Sequence, residues 1–199
     1  MDWADKIKQI FEDNNGIVKT SQITSEGIHN RVLDKLIDEG KIIKLKRGMY
    51  QWLEDNQAED IEVLVKILPE AILCMNSALY HYGYTDRTPD CFHIAIDRNC
   101  NKSKLKFDYP PIKPYFIISK YIKLGVEEIN IDKAKVKIFD KERTICDIIR
   151  YSNKLDREIV NKAIQSYISD NSKDISKLIY YSKLMKVYKK VQMWIGMWL

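Results

Sequence analysis

Apolar residues near the amino terminus recur at the three- and four-residue steps of a helix. Trp3, Ile7, Ile10 and Phe11 form one stripe, which predicts an amphipathic helix of about three turns. An Asn-Gly pair then interrupts the pattern, and two β-branched residues at 17–18 predict a very short strand. The chain therefore begins with a helix and a strand whose apolar sides need a common core.

Two further helices are predicted after this strand. Thr20 or Ser21 is suited to cap a short helix that reaches about Ser25. The next helix covers 29–39, with its apolar residues on one side and polar residues on the other, and Gly40 ends it. These two helices and the turn between them follow one another as in a helix-turn-helix.

Alternating residues then predict a β-hairpin with a basic tip. Ile43 and Leu45 alternate with lysines, and 49–52 alternates again after Arg47-Gly48. Helix, short helix, turn, helix and basic hairpin in this order are typical of a winged helix-turn-helix, so we expect an N-terminal DNA-binding domain.

The polar start of the third helix is suited to the DNA major groove, where each base pair displays a distinguishable pattern. Arg31 could read guanine and Asn30 adenine, while the hairpin would contact phosphates. A protein-binding winged helix stays open, since acidic residues also lie on the third helix. The residues expected to contact DNA are Thr20, Ser21, Gln22, His29, Asn30, Arg31, Lys35, Lys44, Lys46 and Arg47.

A polar, mostly acidic stretch at 54–60 predicts a boundary near residue 57. Residues 1–56 would form the winged helix-turn-helix domain and 57–199 a larger mixed domain. In the latter, Pro69 and Gly83 end two predicted helices.

Strands are predicted at 92–96, 114–118, 126–131 and 135–139. Asp140 and Asp156 are suited to cap later helices, and a last helical pair covers about 175–198. The apolar carboxyl-terminal stretch 193–199 is expected to dock on its own domain. The fold class is therefore α+β, with a small sheet and a helical C-terminal half.

Composition supports a folded cytoplasmic protein without cofactors. The 45% hydrophobic residues suffice for a core, and no apolar run approaches the length of about 18 residues that a membrane-spanning helix needs. Four cysteines without C-x-x-C spacing indicate reduced thiols. Cys91, His93 and Cys100 lack a fourth ligand at usable spacing, so no metal site is expected.

The second domain shows few signs of catalysis, because the motifs of phosphate-binding loops and nucleophile elbows are missing from the sequence. An alternative is a Mg-dependent nucleotidyltransferase or nuclease that gathers Asp90, Asp97, Glu142 and Asp147, and another is a protein-interaction adaptor. Arg143 beside Glu142 is expected to form a structural ion pair. A further surface, for antitoxin action or a second nucleic-acid contact, could use Lys102, Lys104, Lys106, Lys183, Lys186, Lys189 and Lys190.

Several segments together resemble the AbiEi antitoxin family of abortive-infection, type IV toxin-antitoxin systems. In the first domain these are 16–20, 27–28 and the stretch Leu36-Ile37-Asp38-Glu39-Gly40-Lys41-Ile42 leading to Arg47-Gly48-Met49-Tyr50. In the second they are 77–86, the His93 strand and Glu142-Arg143-Thr144-Ile145-Cys146-Asp147.

The resemblance implies a non-enzymatic protein with two functions. The winged helix would repress its own operon at inverted repeats. Because one winged helix is too small to cover a long operator, we expect two copies on DNA. The second domain would counteract a nucleotidyltransferase-like toxin in phage defence, without requiring a stable complex. The charge of +5 is mild, so the local basic hairpin rather than the whole chain supports DNA binding.

Overall fold

The computed structural model describes residues 3–53 and 59–196 and confirms a mixed α+β chain. The predicted boundary near residue 57 and the end of the apolar tail at 197–199 lie outside the described residues. The elements in chain order are α1 (Trp3–Asp13), β1 (Ile17–Lys19), α2 (Thr20–Ser25), α3 (Arg31–Asp38), β2 (Ile42–Lys46), β3 (Met49–Trp52), α4 (Asp60–Ile67), β4 (Ile72–Leu73), α5 (Met75–His81), β5 (Phe92–Asp97), β6 (Ile112–Ile117), α6 (Ser119–Ile122), β7 (Val126–Ile131), β8 (Ala134–Phe139), α7 (Lys141–Tyr151), α8 (Arg157–Ser169), α9 (Ile175–Leu184) and α10 (Tyr188–Ile195), with short 3₁₀ turns at Lys102–Leu105 and Ser152–Lys154.

The chain divides into two compact units. The first contains the described residues up to Pro69 together with Asn101–Pro110 and Ile131–Ala134. The second contains Glu70–Cys100, Pro111–Asn130 and the chain from Lys135 onward.

The first unit has a helical core against a three-stranded antiparallel sheet of order β1-β3-β2. Ile7, Phe11, Leu33 and Leu36 are buried, as their helical spacing predicts. Trp3 differs, because it remains 39% exposed at the start of α1. The stripe is therefore confirmed except at its first residue, which lies beyond the edge of the core.

The second unit has a mixed five-stranded sheet of order β6-β5-β4-β8-β7. β4 pairs antiparallel with β5 and parallel with β8, although it has only two residues. A strand of this length is too short to show alternation, so the sequence pattern does not predict it. The four longer strands were predicted within about two residues of their bounds, the usual uncertainty of element ends.

Helices α7 to α10 pack around the second core, and their caps follow the sequence. The Asp140 carboxylate accepts a hydrogen bond from the Arg143 amide at 2.7 Å, and Asp156 accepts one from the Glu158 amide at 2.9 Å. Ile195 is buried and Trp194 is half-buried, as expected for a docked tail, whereas Met193 is 76% exposed. Both predicted N-caps are confirmed.

The segment 142–147 forms the interior of α7, and all of its residues are buried. The sequence predicted an ion pair between Arg143 and Glu142. Arg143 instead pairs with Asp147, at 2.9 Å between Nε and Oδ2. Glu142 instead accepts a hydrogen bond from the Asp174 amide at 2.9 Å and faces the Lys177 ammonium at 3.7 Å. The expectation was wrong because adjacent residues point to different sides of a helix, whereas residues four apart share one side.

Candidate nucleic-acid interface

α2 and α3 are joined by a turn that needs a glycine. Gly27 has a φ of +76°, in the left-handed region that glycine adopts without strain. Ile23 and Leu33 are buried on the inner sides of the two helices. The opposite sides of both helices are consequently exposed.

α2 begins with a capping arrangement that lies one or two residues earlier than the sequence predicted. Lys19 rather than Thr20 or Ser21 is the N-cap residue. The Gln22 side-chain oxygen accepts a hydrogen bond from the Lys19 amide at 2.8 Å, and its amide nitrogen donates to the Asn14 side chain at 2.6 Å. A glutamine three residues after the cap is the sequence signal for this arrangement. Gln22, expected to contact DNA, is thus used to order the start of α2.

The amino-terminal turn of α3 presents polar side chains to solvent. His29, Asn30 and Arg31 are all exposed, and Asn30 occupies the N-cap position without a side-chain capping bond. Within the described part of the chain, the side-chain amide of Asn30 and the guanidinium of Arg31 have no hydrogen-bond or ion-pair partner. Both groups are available to an external ligand.

Lys35 lies on the same helix but is already engaged. Its ammonium is 3.7 Å from a Glu39 carboxylate oxygen and 5.1 Å from the centroid of the Trp3 ring. The exposed Trp3 therefore contributes a cation–π contact to this side of the unit.

The cations of the β2–β3 hairpin, two on β2 and one in the turn, differ in whether they have an internal partner. Lys44 and Arg47 are exposed and have no ion pair among the described residues. Lys46 is half-buried, and its ammonium donates to the Ile67 carbonyl at the end of α4, at 2.7 Å. The turn is tied to the start of α2, because the Thr20 amide donates to the Gly48 carbonyl at 2.9 Å. Thr20 is half-buried beside this bond, whereas Ser21 is exposed.

The loop lysines Lys102, Lys104 and Lys106 belong to the first compact unit. The first two lie on the 3₁₀ turn and the third directly follows it, and all three are exposed. The Asn101 side chain caps the turn by accepting a hydrogen bond from the Ser103 amide at 3.0 Å. The sequence predicted only a basic loop here.

The later lysines are divided between two helices and the turn that joins them. Lys183 lies near the end of α9 with its ammonium 5.3 Å from the centroid of the Tyr188 ring. Lys186 lies in the connecting turn with a φ of +57°, and Lys189 and Lys190 lie on α10. The Lys190 ammonium donates to the Arg150 carbonyl at 3.3 Å. The break between α9 and α10 thus divides this group of cations.

The acidic residues of the alternative enzyme are not assembled. Across residues 3–53 and 59–196, no three His, Cys, Asp or Glu side chains are placed to hold a metal ion. Asp147 is paired with Arg143, and Asp97 accepts hydrogen bonds from the Asn99 amide and the Ser119 hydroxyl. These contacts give the acids structural partners.

The four cysteine thiols are unpaired, with Cys74 and Cys146 buried. Burial raises the pKa of the Cys146 thiol well above its usual value. Every described helix is too short or too polar to span a lipid bilayer.

Comparisons with known proteins give a family match for part of the chain and a similarity in fold. Residues 5–51 match the family described as "Transcriptional regulator, AbiEi antitoxin", which confirms the resemblance over that segment. No curated protein matches the chain. The crystal structure of the RV2827C protein from Mycobacterium tuberculosis is similar in fold, with a TM-score of 0.56 and 14% identity over 98% of this chain and 80% of that one.

Proposed function

We propose that the chain is a cytoplasmic transcriptional autorepressor that binds DNA through a winged helix-turn-helix, and that it is also an antitoxin. The observation that carries the DNA-binding half is the pair of unpartnered side chains, Asn30 and Arg31, at the exposed start of α3. They follow the turn from α2, and they precede a hairpin with exposed Lys44 and Arg47. This whole arrangement lies in the segment that matches the regulator family.

The proposed contacts divide into two classes. Arg31 can donate two hydrogen bonds to guanine O6 and N7, and Asn30 can pair with adenine N6 and N7. Lys44 and Arg47 would contact phosphates, which fix the position of the protein without reading sequence. Lys46 and Gln22 have internal partners, so we assign them to positioning the hairpin and α2.

The operator is expected to be an inverted repeat bound by two copies. One short recognition helix covers only a few base pairs, and two-fold related copies read half-sites about 34–36 Å apart, or a multiple of this spacing. The DNA directly upstream of the coding sequence is the natural probe.

Replacing both Lys44 and Arg47 by glutamine should weaken binding to this DNA and reduce its salt dependence. Each phosphate contact contributes about 0.9 to the slope of log affinity against log salt concentration, so the loss of two contacts lowers the slope by about 1.8 for each copy bound. Fluorescence anisotropy titrations at four salt concentrations measure this slope.

The matched control replaces Lys123 and Lys135, two exposed lysines of the second unit, by glutamine. It removes the same charge and should leave the slope within error of the unsubstituted protein. Equal slopes for all three proteins would show that the hairpin does not contact the DNA phosphates.

The antitoxin half rests on the family description and on an exposed basic surface. We propose that Lys102, Lys104 and Lys106 act against a nucleotidyltransferase-like toxin, without a stable complex. Their glutamine triple variant should fail to restore growth of cells that express a nucleotidyltransferase-like toxin which the unsubstituted protein counteracts, while still binding upstream DNA. Full restoration of growth by the variant would exclude this surface.

A further inference from the structure

α3 carries an exposed carboxylate where a DNA-facing helix would be expected to carry none. Asp34 lies one helical turn after Asn30 and Arg31, so its side chain is on their side of the helix. It is exposed, and in the described part of the chain it has no ion pair. The nearest cation in sequence, Lys35, is engaged by Glu39 at 3.7 Å and by the Trp3 ring.

An unneutralised carboxylate restricts what can lie beside it in the major groove. Phosphates repel it, and the acceptor atoms of guanine and thymine offer it no hydrogen. The groove offers a carboxylate only two kinds of donor, the amino groups of cytosine N4 and adenine N6, and acidic side chains pair with cytosine. A repulsive group of this kind gives specificity by rejecting wrong sequences.

We propose that Asp34 is a specificity-determining residue that accepts a hydrogen bond from cytosine N4, next to the base read by Arg31. The inference rests on the proposed DNA-binding function and extends it to the composition of the half-site. Asp34 lowers the affinity for DNA in general and spares only sequences with cytosine at this position. Asp38, at the last residue of α3, is a full turn further along and is not assigned a base contact.

The experiment selects bound sequences from a library of randomised DNA duplexes with three full-length proteins: the unsubstituted chain, Asp34→Asn and Asp38→Asn. Asparagine has the shape of aspartate but carries no charge and can donate as well as accept, so it no longer restricts this position to cytosine. We expect the unsubstituted protein to prefer cytosine at one position of each half-site by roughly ten-fold or more. Asp34→Asn should lose this preference and bind unselected duplexes more tightly.

Asp38→Asn is the matched control, because it removes the same charge from the same exposed side of α3. It should tighten binding to all sequences alike and keep the cytosine preference. Asp34→Ala supplies a second substitution that removes the acceptor altogether, and it should also lose the preference. Unchanged thermal melting of the variants shows that they are folded.

The outcomes separate the two proposals. If the unsubstituted protein selects no sequence and binds no duplex, the DNA-binding function itself fails. If it selects a motif that Asp34→Asn reproduces with equal preferences, DNA binding stands and the role of Asp34 is overturned. Loss of the preference in Asp38→Asn as well would also overturn it, because general charge would then explain the effect.

Discussion

Replacing Arg143 by methionine should lower the free energy of unfolding by about 3–5 kcal/mol, because it leaves a buried carboxylate without its cation. Arg143 is 1% exposed and Asp147 is 2% exposed, and they form an ion pair of 2.9 Å within α7. Burial raises the pKa of the Asp147 carboxyl, and the guanidinium opposes that rise. Removal of the guanidinium therefore exposes the full cost of burying the charge.

The same guanidinium also holds a turn of the second unit. It donates to the carbonyls of Tyr121 and Leu124 at 2.8 and 3.0 Å and lies 4.1 Å from the centroid of the Phe139 ring. Beside it, a Cβ on Gly125 would come within 2.8 Å of the Arg143 Cβ. Several elements thus depend on one side chain.

Chemical denaturation of the full chain measures the effect. Arg143→Met combined with Asp147→Asn should cost clearly less than the sum of the two single changes, since the double variant has no unpaired charge. The loss in Arg143→Met should also shrink on acidification, because a carboxyl whose folded pKa is raised favours folding at low pH. Arg157→Met, at an exposed position, should change stability by less than about 0.5 kcal/mol. Strict additivity of the pair would contradict this account.

Replacing Arg31 by alanine should weaken binding to the upstream DNA by about 1–3 kcal/mol and relax selectivity at one base position. The expected loss is large because the Arg31 guanidinium is exposed and has no partner in the described residues, so its hydrogen bonds are all available to a guanine. Competition with single-base variants of the upstream duplex measures the selectivity.

Lys35→Ala is the matched control for this measurement. Lys35 lies one turn further along α3 but already contacts Glu39 and the Trp3 ring. Its removal should lower the affinity less than that of Arg31 and leave selectivity unchanged. If Arg31→Ala weakened binding to every sequence alike, Arg31 would be a phosphate contact and would not read a base.

The elements with strong periodicity could be predicted from the sequence because their apolar residues must face one core. The helices at Trp3–Asp13 and Arg31–Asp38 and the hairpin are examples. The caps at Asp140 and Asp156 could be predicted from residue type instead, since a carboxylate can accept from the free amides at a helix start. The central two-residue strand β4 could not be predicted, because its position depends on pairing with strands that are distant in sequence.

The sequence predicts which polar residues could belong to the candidate site. It does not predict which of their side chains already bond within the protein. The sequence gives no sign that the Lys46 ammonium is taken by a carbonyl of α4, which is a contact across 21 positions. The role of Gln22 had a signal in the sequence, its spacing of three residues from the N-cap. This signal was overlooked because Thr20 or Ser21 was expected to be the cap. Whether a side chain is free to bind DNA depends on tertiary contacts, which local sequence patterns do not show.

Hydrogen exchange along the full chain, with and without the upstream duplex, tests the central claim most directly. We expect slower exchange of backbone amides at the start of α3 and in the β2–β3 turn when DNA is bound, and little change in α9 and α10. Slower exchange only in the backbone around Lys183 to Lys190, or no slowing anywhere at saturating DNA, would contradict the proposed interface.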